Sequence, residues 1–261
     1  MLSATQLAAY FERIGYAGPR TPTLATLNAL SRAHVQAIPF ENIDVLLGRP
    51  IDLDVGAIVD KLVHARRGGY CFEQNTLLLE VLLALGFDAH PLSARVRYQR
   101  PREYTPGRTH LLVRVEIDQS YLADVGIGAM SLTGALRLAE HGEQATPHEP
   151  RRLLRENGII YHQVRLGESW HDVAELTLEE MPVIDRIVAN WYTSTHPQSH
   201  FKQRLTVARA TGDGRIAILN DELTIRGRDV AKTRIDSADQ LRAILIEHFG
   251  IAVDAMPTFQ F

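Results

Sequence analysis

The sequence predicts an α+β fold: a helical first third, an antiparallel β middle third and a mixed C-terminal part. Apolar residues recur at helical spacing through roughly the first third, and from Ala89 onward they alternate with a period of two. The pattern changes again near Met181-Pro182. These two changes predict three segments, residues 1–88, 89–182 and 183–261, a division that suits a chain of 261 residues.

The first segment contains three helices with recognisable caps. Ser3 and Thr23 each precede an apolar periodic run, which is where N-cap residues are found, and Gly15 follows the first run. Asp54 can cap a third helix that ends near His64. A fourth helix, discussed below with its cysteine, completes the segment.

The second segment predicts a closed or nearly closed antiparallel barrel. Residues 109–117 alternate between apolar and polar, and residues 121–125 return as a second strand. Asn157-Gly158 between two apolar runs is typical of a hairpin with a type I′ turn. Residues 137–152 are polar and contain proline, which predicts a surface loop.

The third segment mixes helices and strands. It predicts a helix over residues 184–191, a proline-containing loop over residues 194–199 and a hairpin that turns at Asp213-Gly214. A last helix begins near Ser237 and is closed by Gly250.

Composition excludes several classes of function. The net charge of −3 gives no reason to expect a nucleic acid or an anionic membrane as partner. A single cysteine forms no internal disulfide, so a cytoplasmic location is expected. The sequence shows no signal-peptide pattern at its start, and no apolar run approaches the ~18 residues that span a bilayer.

The single cysteine, Cys71, lies between two apolar periodic segments and directly after Gly68-Gly69-Tyr70. The two glycines allow a sharp turn or a positive φ, and apolar residues at helical spacing continue to Gly86. Cys71 is therefore expected in the first turn of a helix, where free N–H groups and the helix dipole favour a thiolate. The competing interpretation is a small buried hydrophobe without reactivity.

A cysteine nucleophile needs a base and a group that orients the base. His110 begins a predicted strand, and Asp124 ends the strand that returns. A turn centred on Ile117 places Asp124 opposite His110, and a turn centred on Asp118 places it diagonally on the same face. Both registers allow contact, although His110 could also be a surface residue and Asp124 a turn residue.

Other motifs predict no bound metal or dinucleotide. His196 and His200 have i,i+4 spacing, but Pro197 lies between them and argues against a helical zinc pair. Gly126-Ile127-Gly128 is too short for a dinucleotide fingerprint.

Residues 67–75, RGGYCFEQN, resemble the active-site motif of the arylamine N-acetyltransferases. Residues 109–112 (THLL) and 123–126 (ADVG) resemble the His and Asp motifs of this family, in the same order. Three further segments resemble other parts of the family: IPFEN at 38–42, NWYTSTHP at 190–197 and DGR at 213–215. The resemblance covers nearly the whole chain.

The resemblance implies a helical domain, a β-barrel and a C-terminal α/β lid around a core like that of cysteine proteases. It implies transfer of an acetyl group from acetyl-CoA, a cosubstrate and not a bound cofactor, to an arylamine or arylhydrazine in xenobiotic metabolism. Cys71 would be the nucleophile, His110 the base and Asp124 the orienting acid. The residues that would line the acceptor and CoA cleft are Phe40, Val96, Thr109, Ile127, Gly128 and Phe201.

One position departs from the family pattern: Ile127 stands where many members have Phe, which puts the acceptor preference in doubt. Two other enzyme classes also fit the residues, an amide synthase that uses a different acyl thioester and a transglutaminase-like or papain-like cysteine hydrolase. A non-enzymatic binding module, with an unreactive Cys71, is the third alternative. The sequence leaves the oligomeric state open, a homodimer included.

Overall fold

The computed structural model describes residues 2–257. Within them, no helix is long and apolar enough to cross a membrane. The described residues form seven α-helices: α1 (Ala4–Ile14), α2 (Leu24–Ala37), α3 (Ile43–Leu46), α4 (Val55–Val59), α5 (Cys71–Ala84), α6 (Val183–Thr195) and α7 (Ala238–Phe249).

The strands form two antiparallel sheets. Seven strands form the nearly closed barrel: β2 (Asp88–Val96), β3 (His110–Glu116), β4 (Ser120–Ala123), β5 (Leu136–Arg137), β6 (Arg151–Glu156), β7 (Ile159–Leu166) and β8 (Ser169–Glu180). The other five form an open sheet: β1 (Phe40–Glu41), β9 (Thr206–Ala210), β10 (Arg215–Leu219), β11 (Glu222–Arg226) and β12 (Val230–Arg234).

The predicted helix caps are confirmed. The Ser3 hydroxyl accepts from the Gln6 N–H at 3.2 Å, and Gly15 ends α1 with a left-handed φ of 64°. In the same way, Ser237 caps the N-terminus of α7 and Gly250 ends the helix. Such caps satisfy N–H and C=O groups that a helix end leaves unpaired, so short stretches of sequence suffice to predict them.

The helix capped by Asp54 changes its winding before it ends. It continues from α4 into a π-helical turn over Asp60–His64. Arg66 then takes a left-handed φ of 53°, rare for a residue with a Cβ. The chain thereby turns into the glycine pair that precedes α5.

The barrel is nearly closed, within the prediction, because β5 and β6 at the two ends of the sheet lie next to each other. Apolar side chains such as Leu112, Leu122 and Leu153 form one of its cores. The β6–β7 hairpin turns at Asn157 (φ 51°) and Gly158 (φ 79°), the two positive values of a type I′ turn.

The five-stranded sheet joins distant parts of the chain. Phe40 of β1 pairs with Ala208 of β9, so an N-terminal strand extends a sheet built from residues after 205. Because β1 crosses between predicted segments, the division at 88 and 182 stays a prediction. The outer ends of that division, Met1 and residues 258–261, lie outside the described residues.

The prediction of a surface loop over residues 137–152 is wrong at its end. Arg151 begins β6 and is 0% exposed, and its backbone pairs with that of Gln144 in both directions at 2.7 and 2.9 Å. Burial is possible because the guanidinium meets the Glu149 carboxylate at 3.0 Å. Sequence alone cannot distinguish a charged residue that is buried against an ionic partner from one at the surface.

Candidate active site

Cys71 is the first residue of α5 and is buried, with 3% of its surface exposed. Its thiol faces β3, where Sγ lies 3.6 Å from the carbonyl oxygen of Thr109. The predicted position in the first helical turn is confirmed. The N–H groups of that turn have no intrahelical acceptor, so they point toward the thiol end of the helix.

Gly68 and Gly69 are required by close packing, and neither has a positive φ. A Cβ on Gly68 would overlap the carbonyl oxygen of Pro39, and one on Gly69 would lie 2.6 Å from Oε2 of Glu73. The expected sharp turn therefore takes a different form. The glycines let the chain before Cys71 lie directly against Pro39 and the first turn of α5.

Glu73 caps the helix that carries the cysteine. Its Oε2 accepts from the Tyr70 N–H at 2.9 Å, and Lys61 Nζ donates to Oε1 at 2.7 Å. Burial raises the pKa of Glu73, although Lys61 opposes the shift. This role was not predicted from the sequence, although a Glu at the third position of a helix is the usual signal for such a cap.

Gln74 and Asn75 extend from α5 in different directions. Gln74 Nε2 donates to Pro39 O at 2.7 Å and to Gly69 O at 3.2 Å, which ties the glycine pair of the motif to the Pro39 segment. Asn75 Nδ2 donates to Leu111 O at 2.6 Å, and its Oδ1 accepts from the Val125 N–H at 3.0 Å. Asn75 therefore ties the helix to the barrel.

His110 and Asp124 are in contact, Nε2 to Oδ2, at 2.7 Å, and both are 1% exposed. The β3–β4 hairpin pairs Val113 with Ala123 and Glu116 with Ser120, so its turn is centred on Asp118. Of the two registers left open by the sequence, this one places Asp124 diagonal to His110. The contact shows that the diagonal distance is short enough.

Three donors converge on the Asp124 carboxylate. Besides His110, Asn75 Nδ2 and the Gly126 N–H donate to Oδ1 at 2.9 and 3.0 Å. Burial would raise the pKa of Asp124, but the charge and hydrogen bonds of these partners, His110 foremost, lower it. The carboxylate is therefore ionised at neutral pH.

The pKa of His110 shifts in the opposite direction. Burial would lower the pKa of His110, but Asp124 and, more weakly, Cys71 raise it to about 10. Because Nε2 is engaged by Asp124, Nδ1 is the nitrogen left for the Cys71 thiol. This arrangement can hold a thiolate beside an imidazolium, which is the chemistry of an activated cysteine nucleophile.

Gly126 lies where the chain after β4 packs directly against α5. A Cβ there would lie 2.6 Å from Asn75 Nδ2 and 2.8 Å from the Cα of Cys71. Only glycine allows the chain after Asp124 to pack so tightly against α5. In the sequence, Gly126 is visible only as part of the short Gly126-Ile127-Gly128 motif, which gives no sign of this close packing.

The other predicted site residues lie at different depths. Phe40 and Phe201 belong to the apolar cluster around Cys71, with ring centroids 6.0 Å apart. Gly128 lies beside Phe40, whose ring would be 3.5 Å from a Cβ there. Thr109 lines a surface cleft between β3 and α6 that also contains Met181.

Ile127 and Val96 are farther along the barrel. Ile127 packs against the cluster of Met130, Val164 and Val173. Val96, half-buried at the end of β2, pairs with Ala174. Among the described residues, the cluster that contains Cys71 includes neither side chain.

A family model described as N-acetyltransferase matches residues 23–258. The arylamine N-acetyltransferase of Mycolicibacterium smegmatis is 43% identical over 95% of this chain and 92% of its own. A solved arylamine N-acetyltransferase from Mycobacterium tuberculosis superposes with a TM-score of 0.91 at 41% identity, covering 94% of this chain and 93% of that one.

The chain belongs to the arylamine N-acetyltransferase family. The resemblance inferred from the cysteine motif is confirmed, and so is the predicted fold class. A Mycobacterium marinum arylamine N-acetyltransferase solved in complex with CoA has the same fold, with a TM-score of 0.91 at 38% identity over 94% of this chain and 92% of its own. Membership in the arylamine N-acetyltransferases does not favour an amide synthase or a peptide hydrolase.

Proposed function

We propose that this chain transfers an acetyl group from acetyl-CoA to an arylamine or arylhydrazine through an acetyl-cysteine on Cys71. Family membership supports the reaction class. The observation that carries the mechanism is the buried contact of His110 with Asp124 beside the Cys71 thiol. Together these supply a nucleophile, a base and a group that orients the base.

In the first half-reaction the Cys71 sulfur attacks the carbonyl carbon of acetyl-CoA. A tetrahedral oxyanion forms, and it collapses when the bond between that carbon and the CoA sulfur breaks. His110, which holds the proton from Cys71, passes it to the departing CoA thiolate. The N–H groups of the first turn of α5 are the donors proposed for the oxyanion.

In the second half-reaction the amine nitrogen attacks the same carbonyl carbon. The bond to the Cys71 sulfur breaks, and His110 carries the proton lost by the amine to that sulfur. Asp124 stays ionised throughout and fixes the ring orientation from Nε2. CoA leaves before the amine binds, because the acetyl group stays on Cys71 when its bond to the CoA sulfur breaks and both half-reactions use that one thiol.

The substrate residues remain proposals. Phe40, Phe201 and Gly128 surround Cys71 closely enough to pack on a bound acyl donor or acceptor. Thr109 opens to the cleft beside α6, through which a small molecule would reach the thiol. Ile127 and Val96 would act at the acceptor end of the site, because they lie farther into the barrel side.

We also propose a location and a metabolic role for the reaction. A chain with one cysteine needs no oxidising compartment, which fits the cytoplasm, and arylamine acceptors fit a role in xenobiotic metabolism. Acetyl-CoA and the acceptor amine are the proposed partners. Residues 1–88, 89–182 and 183–261 are proposed as helical, barrel and lid domains, and a homodimer is left open.

The covalent mechanism is tested by incubating the protein with acetyl-CoA alone. Without acceptor it should add one acetyl group to the intact protein, located by peptide mass spectrometry on Cys71. Initial-rate plots against both substrates should give the parallel lines of a ping-pong scheme. Cys71→Ser should lose nearly all activity, because a hydroxyl is far less acidic than a thiol. Intersecting lines with an unmodified Cys71 would indicate direct transfer and refute the covalent mechanism.

The same assay separates the remaining alternatives. An amide synthase would label Cys71 with a larger acyl thioester and poorly with acetyl-CoA. A peptide hydrolase would leave it unlabelled by either donor. A binding module would also leave Cys71 unreactive toward iodoacetamide at mildly acidic pH.

A further inference from the structure

Arg151 is a charged residue buried inside the barrel without a full set of partners. Its Nη2 donates to Glu149 Oε2 at 3.0 Å, and its Nη1 donates to His162 Nε2 at 3.3 Å. Its Nε is buried and has no hydrogen-bond partner among the described residues. A buried guanidinium in this state is costly unless another negative charge balances it.

The local charges do not cancel. Arg215 binds the same carboxylate, with Nε 2.7 Å from Glu149 Oε1 and Nη2 2.7 Å from Oε2. Burial and the charge of Arg151 lower the pKa of His162 to about 3, so that imidazole is neutral. Two guanidinium groups and one carboxylate leave one net positive charge.

The next buried charge is Asp124. Its carbonyl oxygen accepts from the Leu132 N–H at 2.7 Å, and the neighbouring Ser131 O accepts from Arg215 Nη2 at 3.0 Å. The charge of Asp124 acts on both Arg151 and His162. The titratable and charged groups that face Arg151 or its ion pairs are His110, Asp124, His148, Glu149, His162 and Arg215.

We propose that Arg151 is a positioning residue for the Cys71 site: its buried charge balances the Asp124 carboxylate inside the barrel. This inference rests on the proposed function, in which a thiolate, an imidazolium and a carboxylate together carry one net negative charge. The Arg151–Glu149–Arg215 cluster carries one net positive charge. The net charge of the Arg151–Glu149–Arg215 cluster is therefore equal and opposite to the net charge of the site, and each buried charge neutralises the other.

A positive charge favours the deprotonated form of every acid near it. Removing it should move both limbs of the pH profile of Cys71 reactivity to higher pH. The expected shift is on the order of one pH unit, the effect of a unit charge roughly 10 Å away at an effective dielectric constant of about 20. A purely structural role would lower the rate at every pH without moving the limbs.

Arg151→Met is the direct variant, and it leaves no carboxylate unpaired because Arg215 still binds Glu149. Arg151→Lys keeps the charge and should restore the wild-type limbs. The matched control is Arg152→Met on the same strand, since Arg152 donates to Gln163 at 2.6 Å and stacks on Trp170, 4.3 Å from the ring centroid. Glu149→Gln adds net positive charge and should shift both limbs downward.

The measurements are the rates of iodoacetamide alkylation and of acetylation by acetyl-CoA, each followed from acid to alkaline pH. Upward shifts in Arg151→Met, absent from Arg152→Met and reversed in sign in Glu149→Gln, support the inference. If Arg151→Met fails to fold, the sign of the Glu149→Gln shift decides. An unshifted or upward Glu149→Gln profile overturns the inference, as does an Arg151→Met profile that superimposes on wild type after scaling.

The wild-type protein separates this inference from the proposed function. If its Cys71 accepts no acetyl group and alkylates like a free thiol, the proposed function fails and the inference fails with it. If the wild type is acetylated and only the Arg151 and Glu149 variants lack the predicted shifts, the proposed function stands. The role of Arg151 is then refuted alone.

Discussion

The helix side of the site, residues 67–75, and the barrel side, His110 with residues 124–128, draw their supports from different parts of the chain. Glu73 and Gln74 are held by Lys61, His34 and Pro39, all within the N-terminal helical part. On the barrel side, Asp124 accepts from His110 and from the Gly126 N–H, and its link to the helix side is the bond donated by Asn75 Nδ2.

This difference distinguishes structure that neighbouring residues determine from structure that depends on the pairing register of distant strands. The helix side is fixed by a helix start, a glycine pair and a cap, which neighbouring residues specify. The barrel side forms only when strands far apart in sequence take the correct pairing. Substitutions on the barrel side, or at the contact between the two, should therefore cost more activity than substitutions in the helix-side supports.

The largest effect is expected from Asp124→Asn. The amide cannot hold the imidazolium, and the equivalent loss in a Ser-His-Asp enzyme costs about 10⁴ in kcat. Because a thiol ionises more readily than a hydroxyl, we expect a loss of about 10² to 10⁴ in the rate of Cys71 acetylation. Stopped-flow or quenched-flow acetylation with acetyl-CoA measures it.

Asp118→Asn is the control, because Asp118 lies in the turn of the same hairpin, where it accepts from the Tyr121 hydroxyl at 2.8 Å. It should acetylate at nearly the wild-type rate. Near-normal turnover and alkylation in Asp124→Asn would show that the carboxylate serves the turn and not the histidine.

The next effect tests the contact between the two sides. The Cβ added by Gly126→Ala would lie 2.8 Å from the Cα of Cys71, a backbone atom that cannot rotate away. We expect a loss of about 1–3 kcal/mol in the free energy of unfolding, together with slower alkylation of Cys71. Urea unfolding followed by circular dichroism gives the first quantity.

Gly142→Ala is the matched control for Gly126→Ala. Gly142 is exposed, and nothing lies within 4 Å of a Cβ there, so its change should stay within about 0.5 kcal/mol. Equal stabilities for the two variants would mean that the Asp124 segment can move away from α5 at no cost.

Helix caps and tight turns were easier to predict from the sequence than strands, for physical reasons. Caps at Ser3 and Ser237 and the turn at Asn157 depend on a few adjacent residues, so their pattern is visible without a structure. Strand β12 was missed because all its side chains are exposed and show no alternation. Strand β1 was missed because two residues are too few to show a period.

The supports of the site were harder still. Arg151 was assigned to a surface loop because sequence shows its charge and not the carboxylate that allows burial. The close packing at Gly126 depends on two segments that meet only in the folded chain. Hydrophobic pattern therefore predicts where elements lie, whereas buried ion pairs and backbone contacts require the register.

On the helix side, an effect confined to acidic pH is expected at His34. Its Nδ1 accepts from Tyr10 and its Nε2 donates to Gln74, and burial lowers its pKa from 6.5 to about 4. The unfolded chain therefore binds the extra proton first as pH falls. Stability should fall between pH 6.5 and 4 by about 3 kcal/mol from this residue.

His34→Gln removes that proton, so its stability should depend less steeply on pH across the same interval. His171→Gln, at an exposed histidine on β8, is the matched control. Urea titrations at a series of pH values measure both. Parallel curves for wild type and His34→Gln would mean that His34 is protonated in the folded protein without penalty. The pH profile of acetylation should change little, since this support does not touch the thiol.

The smallest expected effect is a change of preference at Ile127. An aliphatic side chain offers no ring face to an aromatic amine, and aromatic pairs gain about 0.5–1.5 kcal/mol beyond their buried area, roughly two- to ten-fold in rate or affinity. Ile127→Phe should therefore reorder arylamine acceptors by about that factor while acetylation by acetyl-CoA alone changes less. Ile127→Leu, which adds no ring, should keep the wild-type order. The decisive comparison is between the two half-reactions. If Ile127→Phe alters enzyme acetylation as much as acceptor turnover, Ile127 supports the barrel side as a whole, through its packing with Met130. The acceptor is then recognised elsewhere.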